Sequence, residues 1–190
     1  SLLWFENDGN QTFTEHDLGS ADQTKFAKSI KADDMDDDGD MDMVIASQNK
    51  GIKWFENDGS ENFSIREVDV STNYNPLSVY IADLDGDEDL DIVSVSSAGN
   101  IYLHHNDGAF TFTTSELPGV TGVGSIDVTD IDEDGDMDIL AHSIEDSTGW
   151  IKLLKNDGSS VFSVSVLAKD TKIKDASSVN ALCVLDNGKA

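Results

Sequence analysis

The sequence predicts an all-β chain of propeller blades, each made of four antiparallel strands. Three observations carry that prediction. An aspartate-rich loop recurs three times, each copy followed at once by a short apolar run. An Asn-Asp-Gly turn recurs four times, about 50 residues apart. Helical periodicity is absent almost throughout. Four short strands in a unit of about 40–50 residues is the pattern of a propeller blade, whereas a parallel β-helix has a far shorter, glycine-rich repeat.

The acidic loops come first because their charge needs an explanation. Residues 33–42 hold seven aspartates. Two carboxylates 5 Å apart repel by roughly 3 kcal/mol at an effective dielectric of about 20. An acidic disordered tract would avoid that cost by staying solvated. Such a tract does not recur in fixed register, and this one does. Aspartate occupies positions 1, 3, 5, 7 and 9 of each loop: Asp34, Asp36, Asp38, Asp40 and Asp42; Asp83, Asp85, Asp87, Asp89 and Asp91; Asp130, Asp132, Asp134, Asp136 and Asp138. Position 2 is Met, Leu or Ile, and position 8 is Met or Leu.

Calcium is the cation that suits such a loop. It takes six to eight hard oxygen ligands in a flexible shell, and alternate aspartates around a turn supply them. Magnesium holds to a stricter octahedron, and zinc prefers His or Cys, which these loops lack. The loops are not EF-hands. Position 12 is Ile45, Ser94 or Ala141 instead of a bidentate glutamate, and a strand follows instead of a helix. Aspartate at position 9 must close the shell. About three calcium ions are expected, one per loop.

The strands follow from the same repeat. In the first full unit, strand one lies near residues 28–33, before the acidic loop. Strand two is the β-branched run at 43–49, and a turn at Asn49–Gly51 leads to strand three at 52–57. The Asn-Asp-Gly turn then leads to strand four at 63–70. The next units begin near 76–83 and 123–130. Residues 21–29 are read as a loop entering a strand. The chain opens on a third and a fourth strand, Leu2–Asn7 and Phe13–Leu18. The expected divisions are 1–20 as a partial blade, 21–71, 72–118 and 119–170 as blades, and 171–190 as the first strand of a further, degenerate or truncated blade. In that last segment Cys183 and Leu185 stand where positions 1 and 3 require aspartate. These divisions imply a piece of a larger propeller with further blades, or a closed four-bladed ring short of one strand.

Composition bounds the partners. Net charge is −26 with a pI near 4.1, and no basic stripe exists to neutralise phosphates, so nucleic acid is excluded as a partner. No stretch is long and apolar enough for membrane insertion. Cys183 is the single cysteine, so no internal disulfide forms. Loops of this weak type need the millimolar calcium found outside cells.

The residues 82–93 ("ADLDGDEDLDIV") and 54–63 ("WFENDGSENF") resemble the VCBS/FG-GAP repeats of integrin-α-like β-propellers, especially those of secreted bacterial proteins. The likeness covers essentially the whole chain. It implies a propeller with calcium in the loop between the first two strands of each blade, and a secreted or cell-surface role in adhesion or ligand binding. It also implies side-chain ligands at positions 1, 3, 5 and 9 and a backbone carbonyl from position 7. The family loop commonly carries glycine at positions 4 and 6. Here those positions are Asp37 and Gly39, Gly86 and Glu88, and Glu133 and Gly135. Glu88 stands where the turn favours glycine, so the middle loop is expected to bind most weakly.

No nucleophile elbow, zincin helix or phosphate loop is visible, so the chain is read as non-catalytic. His104 and His105 are adjacent in a strand, point to opposite faces and form no joint metal site. Trp4 and Trp54 are expected to pack between blades, and Trp150, beside a turn, is the candidate for stacking on a sugar. The expected function is a calcium-stabilised extracellular binding or adhesion module for a protein or carbohydrate ligand. An accessory propeller of a secreted carbohydrate-active enzyme is the alternative, followed by a catalytic propeller.

Overall fold

In the computed structural model, residues 2–18, 24–60, 62–69 and 75–170 are described. The expected further strand at 171–190 and the start of the loop at 21–29 lie outside them. The described residues form fourteen strands and no helix. β1 (Leu3–Asn7) and β2 (Phe13–Asp17) make a two-stranded hairpin. Three four-stranded antiparallel sheets follow, each in chain order. The first is β3 (Ala27–Asp33), β4 (Asp42–Ser47), β5 (Gly51–Asn57) and β6 (Phe63–Asp69). The second is β7 (Pro76–Ala82), β8 (Asp91–Ser96), β9 (Ile101–Asn106) and β10 (Phe112–Glu116). The third is β11 (Val123–Thr129), β12 (Asp138–Glu145), β13 (Thr148–Lys155) and β14 (Ser163–Asp170). This is a β-propeller architecture of four-stranded blades, with each acidic loop joining the first two strands.

Burial explains the sequence pattern strand by strand. The second strands read as near-continuous apolar or small-residue runs because both faces are covered: every residue of β8 is buried, as are all but one of β4. The first strands run side by side from blade to blade. The Ser29 hydroxyl accepts the Val79 N–H at 3.3 Å, Tyr80 donates its hydroxyl to the Ile126 carbonyl, and the Lys31 ammonium lies 4.7 Å from the Tyr80 ring centre. Each first strand also carries a register irregularity near its start, and Pro76 sits at one of them, where a missing N–H is tolerated.

The core lies between blades. Val44, Ile52 and Trp54 of the first four-stranded blade pack with Val79 and Ile92 of the second. Val93, Ile101 and Leu103 on the opposite face of the second blade pack with Ile126, Ile139 and Leu154 of the third. Adjacent strand residues therefore serve opposite interfaces, as the period of two requires. The apolar residues at position 2 of the first two acidic loops enter these interfaces: Met35 is 3% exposed and Leu84 1%.

His104 shows what burial does to a polar side chain here. It is sealed inside the second blade, with Nε2 2.9 Å from Ser94 Oγ and Nδ1 2.8 Å from Thr114 Oγ1. Asp69 of the preceding blade stands 3.9 Å from Nδ1. The grouping resembles a serine triad, but Ser94 and His104 are both fully buried and no substrate reaches them. Burial, partly opposed by Asp69, pushes the imidazole pKa down to about 4. The unfolded chain then binds a proton that the folded chain refuses. His104 thus removes stability as pH falls from about 6.5 towards 4, by up to about 1.4 kcal/mol per pH unit. Urea unfolding at pH 7 and pH 5 measures this. The loss on acidification should be smaller in His104→Gln than in the native chain; equal losses would refute the assignment.

Candidate metal centre

Each acidic loop is shaped by its own aspartates. The position-1 carboxylate accepts main-chain N–H groups from across the turn. Asp34 takes those of Asp38 at 3.1 Å and Gly39 at 2.9 Å; Asp83 takes Gly86 at 2.8 Å and Glu88 at 3.2 Å; Asp130 takes Asp134 at 3.2 Å and Gly135 at 2.9 Å. Position 5 holds the next turn: Asp38, Asp87 and Asp134 each accept the N–H of position 7. Folding the loop this tightly puts positions 4 and 6 in the left-handed region, at φ of +55° and +94°, +77° and +74°, and +61° and +100°. Every loop thus has one glycine and one other residue there. Backbone strain is shared among the three loops, and the expectation that Glu88 singles out the middle one loses its basis.

Position 9 is the buried anchor. Asp42, Asp91 and Asp138 are fully buried and begin the second strands. Asp42 accepts the Met35 N–H at 3.2 Å, the Trp54 Nε1–H at 2.9 Å and the Asn57 N–H at 2.7 Å. Asp91 and Asp138 repeat the bonds to position 2 and to Asn106 or Asn156. Burial raises the pKa of all three, and these N–H donors pull it back; Asp91 stands at about 6.

The Asn-Asp-Gly turn has a role that the sequence reading missed. Its asparagine amide donates to the position-8 carbonyl in every blade: Asn57 to Met41 at 3.3 Å, Asn106 to Leu90 at 3.3 Å and Asn156 to Met137 at 3.2 Å. The turn therefore clamps the acidic loop as well as reversing the chain. The position-7 carboxylates of Asp40, Asp89 and Asp136 lie against the turn glycines, Gly59, Gly108 and Gly158, where any Cβ would clash. Asn156 reaches further, to the Leu84 carbonyl of the neighbouring blade at 2.8 Å.

The remaining oxygens converge. Asp34, Asp36 and Asp38 bring one ligand atom each within 4.8 Å of one another, as do Asp83, Asp85 and Asp87, and Asp130, Asp132 and Asp138. Asp36 Oδ1 and Asp85 Oδ1 are buried with no hydrogen-bond partner. Burial and then the neighbouring carboxylates of Asp42, Asp38, Glu56 and Asp34 raise the Asp36 pKa to about 6. Burial and Asp87 raise that of Asp85. A cation at such a point satisfies the orphaned oxygens and relieves the repulsion, so these donor sets fit a hard divalent ion.

His105 is the second residue the sequence reading set aside. It does face away from His104, and that turns it towards the loop, with Nδ1 3.7 Å from both Asp85 and Asp91. Asp85, Asp91 and His105 form a further grouping able to hold a metal ion. In the third blade the same strand position is Lys155, whose ammonium contacts Asp132 and lies 3.0 Å from Asp134 Oδ2. Lys155 holds the Asp134 pKa below the usual carboxylate range, and Asp132 and Asp134 push the lysine pKa up. The signal for both residues was their alignment with Glu56, immediately before the turn asparagine.

The aromatics divide. Trp54 is fully buried between blades, as expected, and also binds the loop anchor Asp42. Trp4 is half-buried and stacks on His16 with ring centres 4.2 Å apart. The Lys169 ammonium lies 4.0 Å from the ring centre of Trp150, the candidate for stacking on a sugar.

Among the described residues no helix is long and apolar enough to cross a membrane. No curated protein matches the chain. The FG-GAP-like repeat matches it at residues 34–94 and again at 83–141, each match running from one acidic loop through the next. Together these matches span more than half of the sequence and contain all three loops, and the chain belongs to the FG-GAP-like repeat family.

Proposed function

We propose that this chain is a calcium-stabilised, non-catalytic binding module that works outside the cell, where its ligand is a protein or a carbohydrate. The observation that carries the calcium reading is the convergence of three carboxylates in each loop, with a buried, unpartnered oxygen at Asp36 and at Asp85. Positions 1, 3, 5 and 9 are the side-chain ligands, and position 7, whose carboxylate is turned to the glycine, supplies its main-chain carbonyl. Calcium, when bound, supplies a positive charge to which all these oxygens turn. The chain's own residues fix the oxygens through the turn N–H groups and the asparagine clamp.

Two observations support a non-catalytic role. The Ser94–His104 pair, which is in hydrogen-bond contact, is sealed, and the acidic clusters are held by structural bonds at the joints of the blades. The strongly acidic surface supports an environment rich in calcium and a partner other than nucleic acid.

Calorimetric titration tests the metal. Calcium should bind to the intact loops, and Asp36→Asn with Asp85→Asn should remove the two sites that hold the orphaned oxygens. Unchanged binding in that double variant would sink the reading. Arrays of glycans and extracellular proteins, probed with and without calcium, test the ligand class.

A further inference from the structure

One strand position faces the acidic loop in all three blades and carries a different charge in each. It is the residue before the turn asparagine. In the first loop it is Glu56, which adds a carboxylate near Asp36 and is itself paired with Arg66. In the second it is His105, a nitrogen donor beside Asp85 and Asp91. In the third it is Lys155, a full positive charge in contact with positions 3 and 5 of its loop, Asp132 and Asp134.

The third loop differs from the others accordingly. In the first two, positions 1, 3 and 5 converge; in the third, Asp134 is missing from the convergent group and is paired with the lysine. Position 3 has a buried, unpartnered oxygen in Asp36 and Asp85, whereas Asp132 receives the ammonium. The lysine already does there what a bound cation does elsewhere: it offsets the carboxylate repulsion.

We propose that Lys155 is a built-in competitor for the cation of the third loop, so that this loop binds calcium more weakly than the other two and is the first to release it. The proposal rests on the calcium reading above. A divalent ion entering this loop must displace the ammonium from Asp132 and Asp134 or sit beside it, and either way it loses attraction that the first two loops retain. The Lys155 side chain is 41% exposed and its stem is flexible, so the ammonium can swing into solvent. Affinity is lowered, not abolished. Since backbone strain is common to all three loops, this charge is what ranks them.

Calcium titration of the whole chain by calorimetry, with far-UV circular dichroism to confirm the fold, decides the matter in three proteins. The native chain should show a weak class of site below the tighter ones. Lys155→Gln should tighten the weak class about tenfold or more, because it removes the competing charge. Lys155→Arg keeps the charge and should leave that class weak. In the Lys155→Gln background, Asp132→Asn should remove the site that was gained. Calcium binding by the other loops with no difference between the native chain and Lys155→Gln overturns the inference and leaves the calcium reading intact. No calcium binding by any of the proteins overturns both.

Discussion

Removing calcium should lower the melting temperature of this chain by about 6–16 °C. The figure follows from linkage. A site held at ten times its dissociation constant stabilises the folded state by about 1.4 kcal/mol, so two tight loops contribute about 3 kcal/mol and three about 4 kcal/mol. In a domain of this size, 1 kcal/mol moves the midpoint by about 2–4 °C. The structure adds a reason for the whole segment to respond and not just the loops. Met35 and Leu84, the second residues of their loops, are plugs in the cores between blades. The Leu84 carbonyl accepts bonds from Asn156 and from the Ser160 N–H, both in the following blade. A loop pushed open by its own charge withdraws its plug from the neighbouring interface. Thermal melts followed by circular dichroism, with excess calcium and then with chelator, make the comparison. A midpoint that does not move would mean that the folded chain holds its carboxylates together without help, and the structural role of calcium would be lost.

Asp42→Ala should destabilise the chain by about 3 kcal/mol even in the presence of chelator. This separates the anchor from the metal. Asp42 is fully buried, and its removal leaves three donors without their acceptor: the Met35 N–H, the Trp54 indole N–H and the Asn57 N–H. Each buried, unsatisfied donor costs about 1–3 kcal/mol, offset in part by the relief of a buried carboxylate whose pKa is raised by desolvation. Asp38→Ala is the control, because Asp38 is exposed and its loss should matter mainly when calcium is present. Chemical denaturation of both variants with chelator reads the difference directly. If Asp42→Ala unfolds at the native midpoint, the carboxylate is only a ligand and not an anchor.

The sequence by itself determined the blade, its strands and its loops. An aspartate at every second position, followed by a β-branched run, admits few structures, because the charge must be offset and the apolar run must be covered on both faces. The Asn-Asp-Gly spacing then placed the third and fourth strands within a residue or two. These are local consequences of period, turn chemistry and charge, and they need no knowledge of what lies across an interface. The tertiary structure alone decided what each aspartate does. Position 9 became a buried anchor because the third strand brings an asparagine N–H to it from fifteen residues away in the first two loops and eighteen in the third. Position 7 turned towards the next turn because the glycine there leaves room for it. His105 and Lys155 joined their loops because strand alternation fixed which face they take, while the register of the third strand fixed how far along it they stand. Loops with the same aspartate spacing therefore enter different electrostatic surroundings. Charge interactions depend on distance through space, and spacing along the chain reports that distance only within a single turn or strand.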